Sequence, residues 1–288
     1  MKNVVQRLLL FFLALPLAAA LIIFLPQYRH GAAVVAILVL VGGCALEMAM
    51  FFRAKGIAAS PLLSIALGLA LPLGAYLGEL LSRGEAIEGA CLGLVLMFGL
   101  ALEASFSRFA FSKAEEIQDV LPRACALSFA AIYPGLFGAF VILIATEPRY
   151  ATESLLCFCI LAFGNDSLAW LVGMTLGRRR NIIAVSPNKS IAGFIGGICG
   201  SIGLTFASSA LFPQAMRGRW WEELALGLVV GAAVIVGDLF ESALKRSAGI
   251  KDSGSAVPGR GGFLDTFDSL LFAAPAFYGL SLLLGYFH

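Results

Sequence analysis

Apolar stretches of about twenty residues, separated by short polar segments, recur along the whole chain, and each is long enough to cross a bilayer as a helix. Windows of that length predict helices near residues 7–26, 32–52, 59–81, 86–106, 125–145, 154–176, 190–211, 221–244 and 264–286. The expected fold is therefore all-α: a polytopic integral membrane protein with about nine transmembrane helices. The first window has Lys2 and Arg7 ahead of its apolar run and small residues at Ala18 to Ala20, as a signal peptide would. Its apolar run continues to Leu25, longer than a typical signal core, which predicts an uncleaved anchor. No internal repeat is visible. Polar content divides the chain into residues 1–150, about five nearly featureless spans, and residues 151–288, which carry the polar motifs and the longer loops.

Composition sharpens this. Of 288 residues, 60% are hydrophobic and 13% charged, which leaves no room for a separate soluble domain. A net charge of +2 says little by itself, and nucleic acid is not implied. The placement of the basic residues says more. Lys2, Arg7, Arg53, Lys55, Arg108, Lys113, Arg123, Arg178, Arg179, Arg180, Lys189, Lys245, Arg246, Lys251 and Arg260 fall on one side of the nine spans. Only Arg29, Arg83, Arg149, Arg217 and Arg219 fall on the other. The bias predicts a cytoplasmic N-terminus and an external C-terminus, with the loops after the sixth and eighth spans facing the cytoplasm. The six cysteines lie in or beside apolar stretches, where they act as small hydrophobes, and Cys157-x-Cys159 lacks zinc spacing.

Two features of the N-terminal half carry polar character. Between Phe106 and Arg123, apolar residues at near-helical spacing alternate with charges, as in a helix lying on the membrane surface, and Ser112-x-x-Glu115 would suit a capping box; a solvated connector is the other reading. Glu47, Glu79 and Glu103 stand singly in spans two to four, where a lone carboxylate is protonated, near an interface or bonded to another helix.

The C-terminal third differs, because its polar residues come in groups. In Gly237-Asp238-Leu239-Phe240-Glu241-Ser242, continuing to Lys245 and Arg246, residues 238, 241, 242 and 245 share one helix face. A loop rich in small residues follows, with Lys251, Asp252 and Arg260, and the last span opens on Asp265 and Asp268, again on one face. Three carboxylates, Asp238, Asp265 and Asp268, are thus expected to converge at the cytoplasmic interface. With no His or Cys among them, they suit Mg²⁺, and the neighbouring Lys and Arg suit a polyphosphate. Gly259, Gly261 and Gly262 would let backbone N–H groups approach phosphate oxygens. A salt-bridged helix hairpin with an ordinary basic loop is the plainer alternative.

A second polar group starts at Asn165 and Asp166, passes Arg178 to Arg180, whose presence topology alone explains, and reaches Ser186 and Lys189. Lys189 could neutralise phosphate. Gly193, Gly196, Gly197 and Gly200, and likewise Gly227 with Gly231, read as close-packing helix faces, and Trp220 and Trp221 as interfacial anchors.

These motifs resemble the CDP-diacylglycerol synthase, or phosphatidate cytidylyltransferase, family. Ser242-x-x-Lys245-Arg246, Lys251-Asp252, Gly261-Gly262-x-x-Asp265 and Asp268 match its signature with unbroken spacing. Gly237 to Ser242, Asp166-Ser167 with Trp170 and Gly173, and Ser186-Pro187-x-Lys189 match its other motifs, so the likeness covers roughly residues 160–275. The chain departs at Arg260, where the family has His, at Thr266, where it has Arg, and at Asn188, Ser190, Ile191 and Ala192, where it continues Lys-Thr-Trp-Glu after Ser-Pro-Lys. One reading is that Arg260 supplies the cation that Thr266 does not.

The resemblance implies a nucleotidyltransferase of the inner membrane, with its active site on the cytoplasmic side, that converts CTP and phosphatidate to CDP-diacylglycerol and pyrophosphate with Mg²⁺; it leaves a second cation and a homodimer open. Asp238, Ser242, Lys245, Arg246, Asp265 and Asp268 would be catalytic, the three Asp holding metal. Asp166, Ser186, Lys189, Lys251, Asp252, Arg260, Gly261 and Gly262 would bind substrate. Competing readings are a CTP-dependent polyprenol or phytol kinase of the same superfamily, a transporter, or a degenerate family member without catalysis.

Overall fold

The computed structural model describes residues 15–81, 86–110, 114–216 and 218–287, and its regular elements among them are helices. In chain order they are α1 (Leu15–Phe24), α2 (Gln27–Ala54), α3 (Pro61–Leu81), α4 (Ala86–Ala110), α5 (Val120–Ala130), α6 (Phe137–Ala145), α7 (Ala151–Leu176), α8 (Ile191–Leu211), α9 (Trp220–Ala248) and α10 (Leu264–Leu283). Eight helical segments among the described residues are long and apolar enough to span a membrane, and they coincide with the second to ninth predicted windows. The chain is an all-α, polytopic integral membrane protein. The first window is described only from Leu15, as the ten-residue α1.

Two compact units divide the chain, one made of Met1–Thr146 and Ser247–Phe267, the other of Glu147–Arg246 and Asp268–His288. In the first, α5 and α6 join through a π-helical turn, Ala131–Leu136, into one span, Glu116–Ala145. Pro134 explains the turn: lacking an N–H, it cannot close the usual α-helical bond, and a wider turn absorbs the defect. The span begins earlier than the predicted 125–145. This corrects the surface-helix reading of residues 106–123, because Phe106 and Phe109 belong to the end of α4 whereas Ala114–Asp119 is a 3-10 turn leading into α5. Ser112 lies outside the described residues.

α3 and α4 approach through small residues: a Cβ on Gly78 would lie 3.1 Å from the Cα of Gly93. At the start of α2 the backbone takes the left-handed conformation at Tyr28, Arg29 and His30 (φ 53, 53 and 58°), so the right-handed span begins beyond them. That turn is held by the Tyr76 hydroxyl, which donates to the Tyr28 carbonyl at 2.8 Å, and by an ion pair between Arg29 and the buried Glu79.

In the second unit, α8 meets α7 through the predicted glycine face. A Cβ on Gly193 would come within 3.0 Å of the Ala169 carbonyl oxygen, and one on Gly200 within 2.6 Å of Leu168 Cδ1. α9 meets α8 likewise, where a Cβ on Gly227 would lie 2.7 Å from the Ile202 Cα. Asn165, fully buried, ties the three helices together. Its Nδ2 donates to the Gly197 carbonyl at 3.0 Å, the Ser201 hydroxyl at 2.7 Å and, more weakly, the Gly231 carbonyl at 3.3 Å. Asn165→Leu should therefore lower stability by about 1–2 kcal/mol, the scale of interhelical hydrogen bonds in membranes. Unfolding of the purified protein in mixed micelles measures this, and an unchanged midpoint would show that the amide does not hold the helices.

Candidate active site

α7 ends at Gly177, and the loop that follows folds on itself before α8. Asn181 adopts the left-handed conformation (φ 61°) and donates its N–H to the Pro187 carbonyl at 2.9 Å. Ser186 closes the next turn, its carbonyl accepting from the Lys189 N–H at 3.2 Å. Ser190 then caps α8, its hydroxyl oxygen accepting from the Gly193 N–H at 3.1 Å. Lys189 is fixed between this turn and this cap, and its ammonium pairs with the Asp238 carboxylate of α9.

Lys189 and Asp238 stand on the wall of a cleft of about 650 Å³, with Asp166, Asn165, Arg180 and Asn188 as further polar lining and Trp170, Met174, Phe194 and Ile235 as apolar lining. The Lys189 ammonium also lies 5.8 Å above the Phe194 ring, within cation–π range. Burial pushes the Lys189 ammonium below the ordinary lysine value of 10.5, with nearby Lys245 acting in the same direction and Asp166, Asp268 and Glu241 opposing it. Within the same unit, Lys245 pairs with Glu241 at 2.7 Å, and Glu241 is only 1% exposed. Asp268 is buried and takes the Ser269 N–H at 2.6 Å, while the Ser269 hydroxyl makes a long contact, 3.5 Å, to Asp166. One end of this unit thus gathers four carboxylates and two ammonium groups beside a cleft.

The first unit holds the remaining signature residues. Gly249 (φ 72°), in the left-handed conformation, follows the last residue of α9. The loop turns again at residues 257–261, where Val257 and Gly261 exchange backbone hydrogen bonds of 2.7 and 3.0 Å. Asp265, in the first turn of α10, accepts from the Ser253 N–H at 2.7 Å, the Gly262 N–H at 2.8 Å and the Ser253 hydroxyl at 2.9 Å, all on Oδ2. The glycine amide expected to face phosphate is therefore given to a carboxylate. Room for this comes from Gly261 (φ 117°), where a Cβ would lie 3.1 Å from the Asp265 carboxyl carbon. Lys251, Asp252 and Arg260 are exposed, whereas the Thr266 hydroxyl is turned back to the Gly262 carbonyl at 2.9 Å.

Glu47 was not singled out as a site residue by the sequence. Its carboxylate, 6% exposed, accepts from the Phe263 N–H at 2.8 Å, the Leu264 N–H at 2.8 Å and the Ser253 hydroxyl at 2.7 Å. No local pattern signals this, since its partners lie more than 200 residues away along the chain. Glu241 did have a signal, its position on the polar face of α9. Arg180, read as topology alone, lines the cleft.

The donor set is one of hard oxygens, which fits Mg²⁺ and not a thiophilic metal. Among the described residues no three His, Cys, Asp or Glu side chains form a ready-made cation cluster. A fit to Mg²⁺ therefore relies on substrate phosphates and water to complete its shell, as is usual for this ion.

Known proteins resemble this chain over about half of its length. Phosphatidate cytidylyltransferase of Bacillus subtilis is 38% identical over 154 residues, 54% of this chain and 56% of its own. The uncharacterized protein YnbB of Escherichia coli is 36% identical over 141 residues, 49% and 46% of the two chains. Phosphatidate cytidylyltransferase of Thermotoga maritima is 37% identical over 165 residues, 56% and 60%. The chain thus spans about half the length of the curated relatives it matches. The profile of the Cytidylyltransferase family, by contrast, matches residues 5–284, nearly the whole sequence, and the chain belongs to that family.

Proposed function

We propose that this protein is a nucleotidyltransferase that joins CTP and phosphatidate to give CDP-diacylglycerol and pyrophosphate. The observation that carries the proposal is the cleft walled by Lys189, Asp166 and Asp238, with apolar residues beside them. Lys189 and Arg180 suit the anionic end of a ligand, the two carboxylates suit the cation that accompanies a polyphosphate, and the apolar residues suit a lipid end. Family membership and the phosphatidate cytidylyltransferase relatives support the same reading.

The reaction needs little proton transfer. A phosphate monoester has a second pKa near 6 and is largely ionised at neutral pH, so its oxygen can attack without a strong base. A bond forms between that oxygen and the α-phosphorus of CTP, the α–β bridge bond breaks, and pyrophosphate leaves. The obstacle is the approach of two anions. Lys189 and Lys245 would offset phosphate charge in the second unit, with Arg246 near the exposed end of α9. Lys251 and Arg260, exposed on the glycine-rich loop, would meet the pyrophosphate or the lipid headgroup. Asp238 and Asp268 of the second unit would serve as Mg²⁺ ligands, with Asp166 at 3.5 Å from the neighbouring Ser269 hydroxyl, and Asp265 is the further ligand that the family signature implies. When bound, the cation would neutralise phosphate charge and favour in-line displacement. The basic loops argue for a cytoplasmic site in an inner-membrane protein, where acyl chains stay in lipid and the headgroup meets a soluble nucleotide.

Incubation of purified protein with CTP and phosphatidate should yield CDP-diacylglycerol and pyrophosphate in equal amounts, lost with a chelator and restored by Mg²⁺. Formation of CDP and a lipid phosphate from a polyprenol or phytol would instead assign a kinase. The pH dependence of kcat/KM gives a second test, because that ratio reports groups of the free enzyme. Lys189 must be protonated to hold phosphate, and burial lowers its pKa, so activity should fall on the alkaline side at a pH below 10.5. Lys189→Arg, which stays charged, should move that limb to higher pH. An alkaline limb unmoved by the substitution would remove Lys189 from the phosphate site.

A further inference from the structure

We propose that Glu47, on the second helix, is a positioning residue for the reaction, acting through the loop that precedes α10. The proposal rests on the reading that Asp265 works at the metal and phosphate site. Glu47 meets the loop at three points: the Ser253 hydroxyl and the N–H groups of Phe263 and Leu264. Those two amides belong to the N-terminus of α10, where N–H groups have no partner within the helix and the helix dipole favours an anion. A buried carboxylate satisfies both.

Ser253 connects this anchor to Asp265. Its hydroxyl oxygen lies 2.7 Å from Glu47 Oε2 and 2.9 Å from Asp265 Oδ2, and it receives the Asp265 N–H at 3.2 Å. A serine has one hydroxyl proton, so the two carboxylates share a single donor. With its proton on Glu47, Ser253 leaves Asp265 the amides of Ser253 and Gly262 and keeps more negative charge on that carboxylate. Small residues make the junction fit: a Cβ on Gly254 would lie 2.6 Å from Glu47 Oε1. An acid buried in an apolar helix is thereby explained as an anchor for the loop that sets the direction and charge of Asp265.

Glu47→Gln retains the shape but loses the charge and places an NH₂ among donors, while Glu47→Asp retains the charge with a shorter reach. Hydrogen exchange of the full-length protein in nanodiscs, Mn²⁺ affinity by electron paramagnetic resonance and steady-state kinetics test the idea together. Glu47→Gln should speed exchange at Phe263 and Leu264, weaken Mn²⁺ about 10- to 100-fold as losses behind metal ligands do, and lower kcat with little change in the KM for phosphatidate. Glu47→Asp should recover part of the affinity. Ser253→Ala, which keeps the two helix amides on Glu47, should lose less than Glu47→Gln and serves if the latter fails to fold. Faster exchange with unchanged Mn²⁺ affinity would reduce Glu47 to a structural anchor and overturn the proposal, as would a silent Glu47→Gln beside an inactive Asp265→Ala. A silent Asp265→Ala would remove the underlying reading, and the proposal with it.

Discussion

A charge withdrawn from water among apolar helices must find a counter-charge or a set of hydrogen bonds, because its hydration is lost and little in the lipid replaces it. That constraint organises the polar residues of this chain. Lys189 meets Asp238, Lys245 meets Glu241, and Arg29 meets Glu79. Glu47, which meets no such cation among the described residues, takes three donors from the loop and helix end beside it. Three of these contacts also fix a piece of backbone. The Lys189 pair fixes the α7–α8 loop, the Glu47 contacts fix the loop before α10, and the Arg29 pair fixes an unusual left-handed turn.

Close helix packing makes the first of these possible. Glycines on α8 and α9 let their backbones and that of α7 approach, and Asn165 ties them by hydrogen bonds to the Gly197 and Gly231 carbonyls. Ser190 then starts α8 one residue after Lys189, so the ammonium cannot drift along the loop. The polar cleft is in this sense a product of small residues as much as of charged ones.

Much of this was legible in the sequence. Hydropathy located the spans, the glycine spacing located the α7–α8–α9 contacts, and Asp166 with Lys189, and Asp238 with Lys245 and Asp268, stood out as two separate polar motifs. What escaped has two physical origins. Glu116, Asp119 and Arg123 lower the hydropathy of the first turns of the span Glu116–Ala145, so a window average places its start too late. Glu47 acts through contacts that only tertiary folding creates; in sequence it is one acid in an apolar helix, like Glu103, which is exposed. Arg180 shows a related ambiguity, since a basic residue after a span serves topology and a ligand with the same charge.

The reading as a whole depends on the cleft beside Lys189 receiving nucleotide phosphates. Equilibrium binding of CTP to purified protein in nanodiscs, compared between the natural chain and Lys189→Met, tests that most directly. Binding should be at least about tenfold weaker in the variant, the scale of one lost charge-assisted hydrogen bond, with the folded state retained. CTP binding of equal strength in both proteins would contradict it.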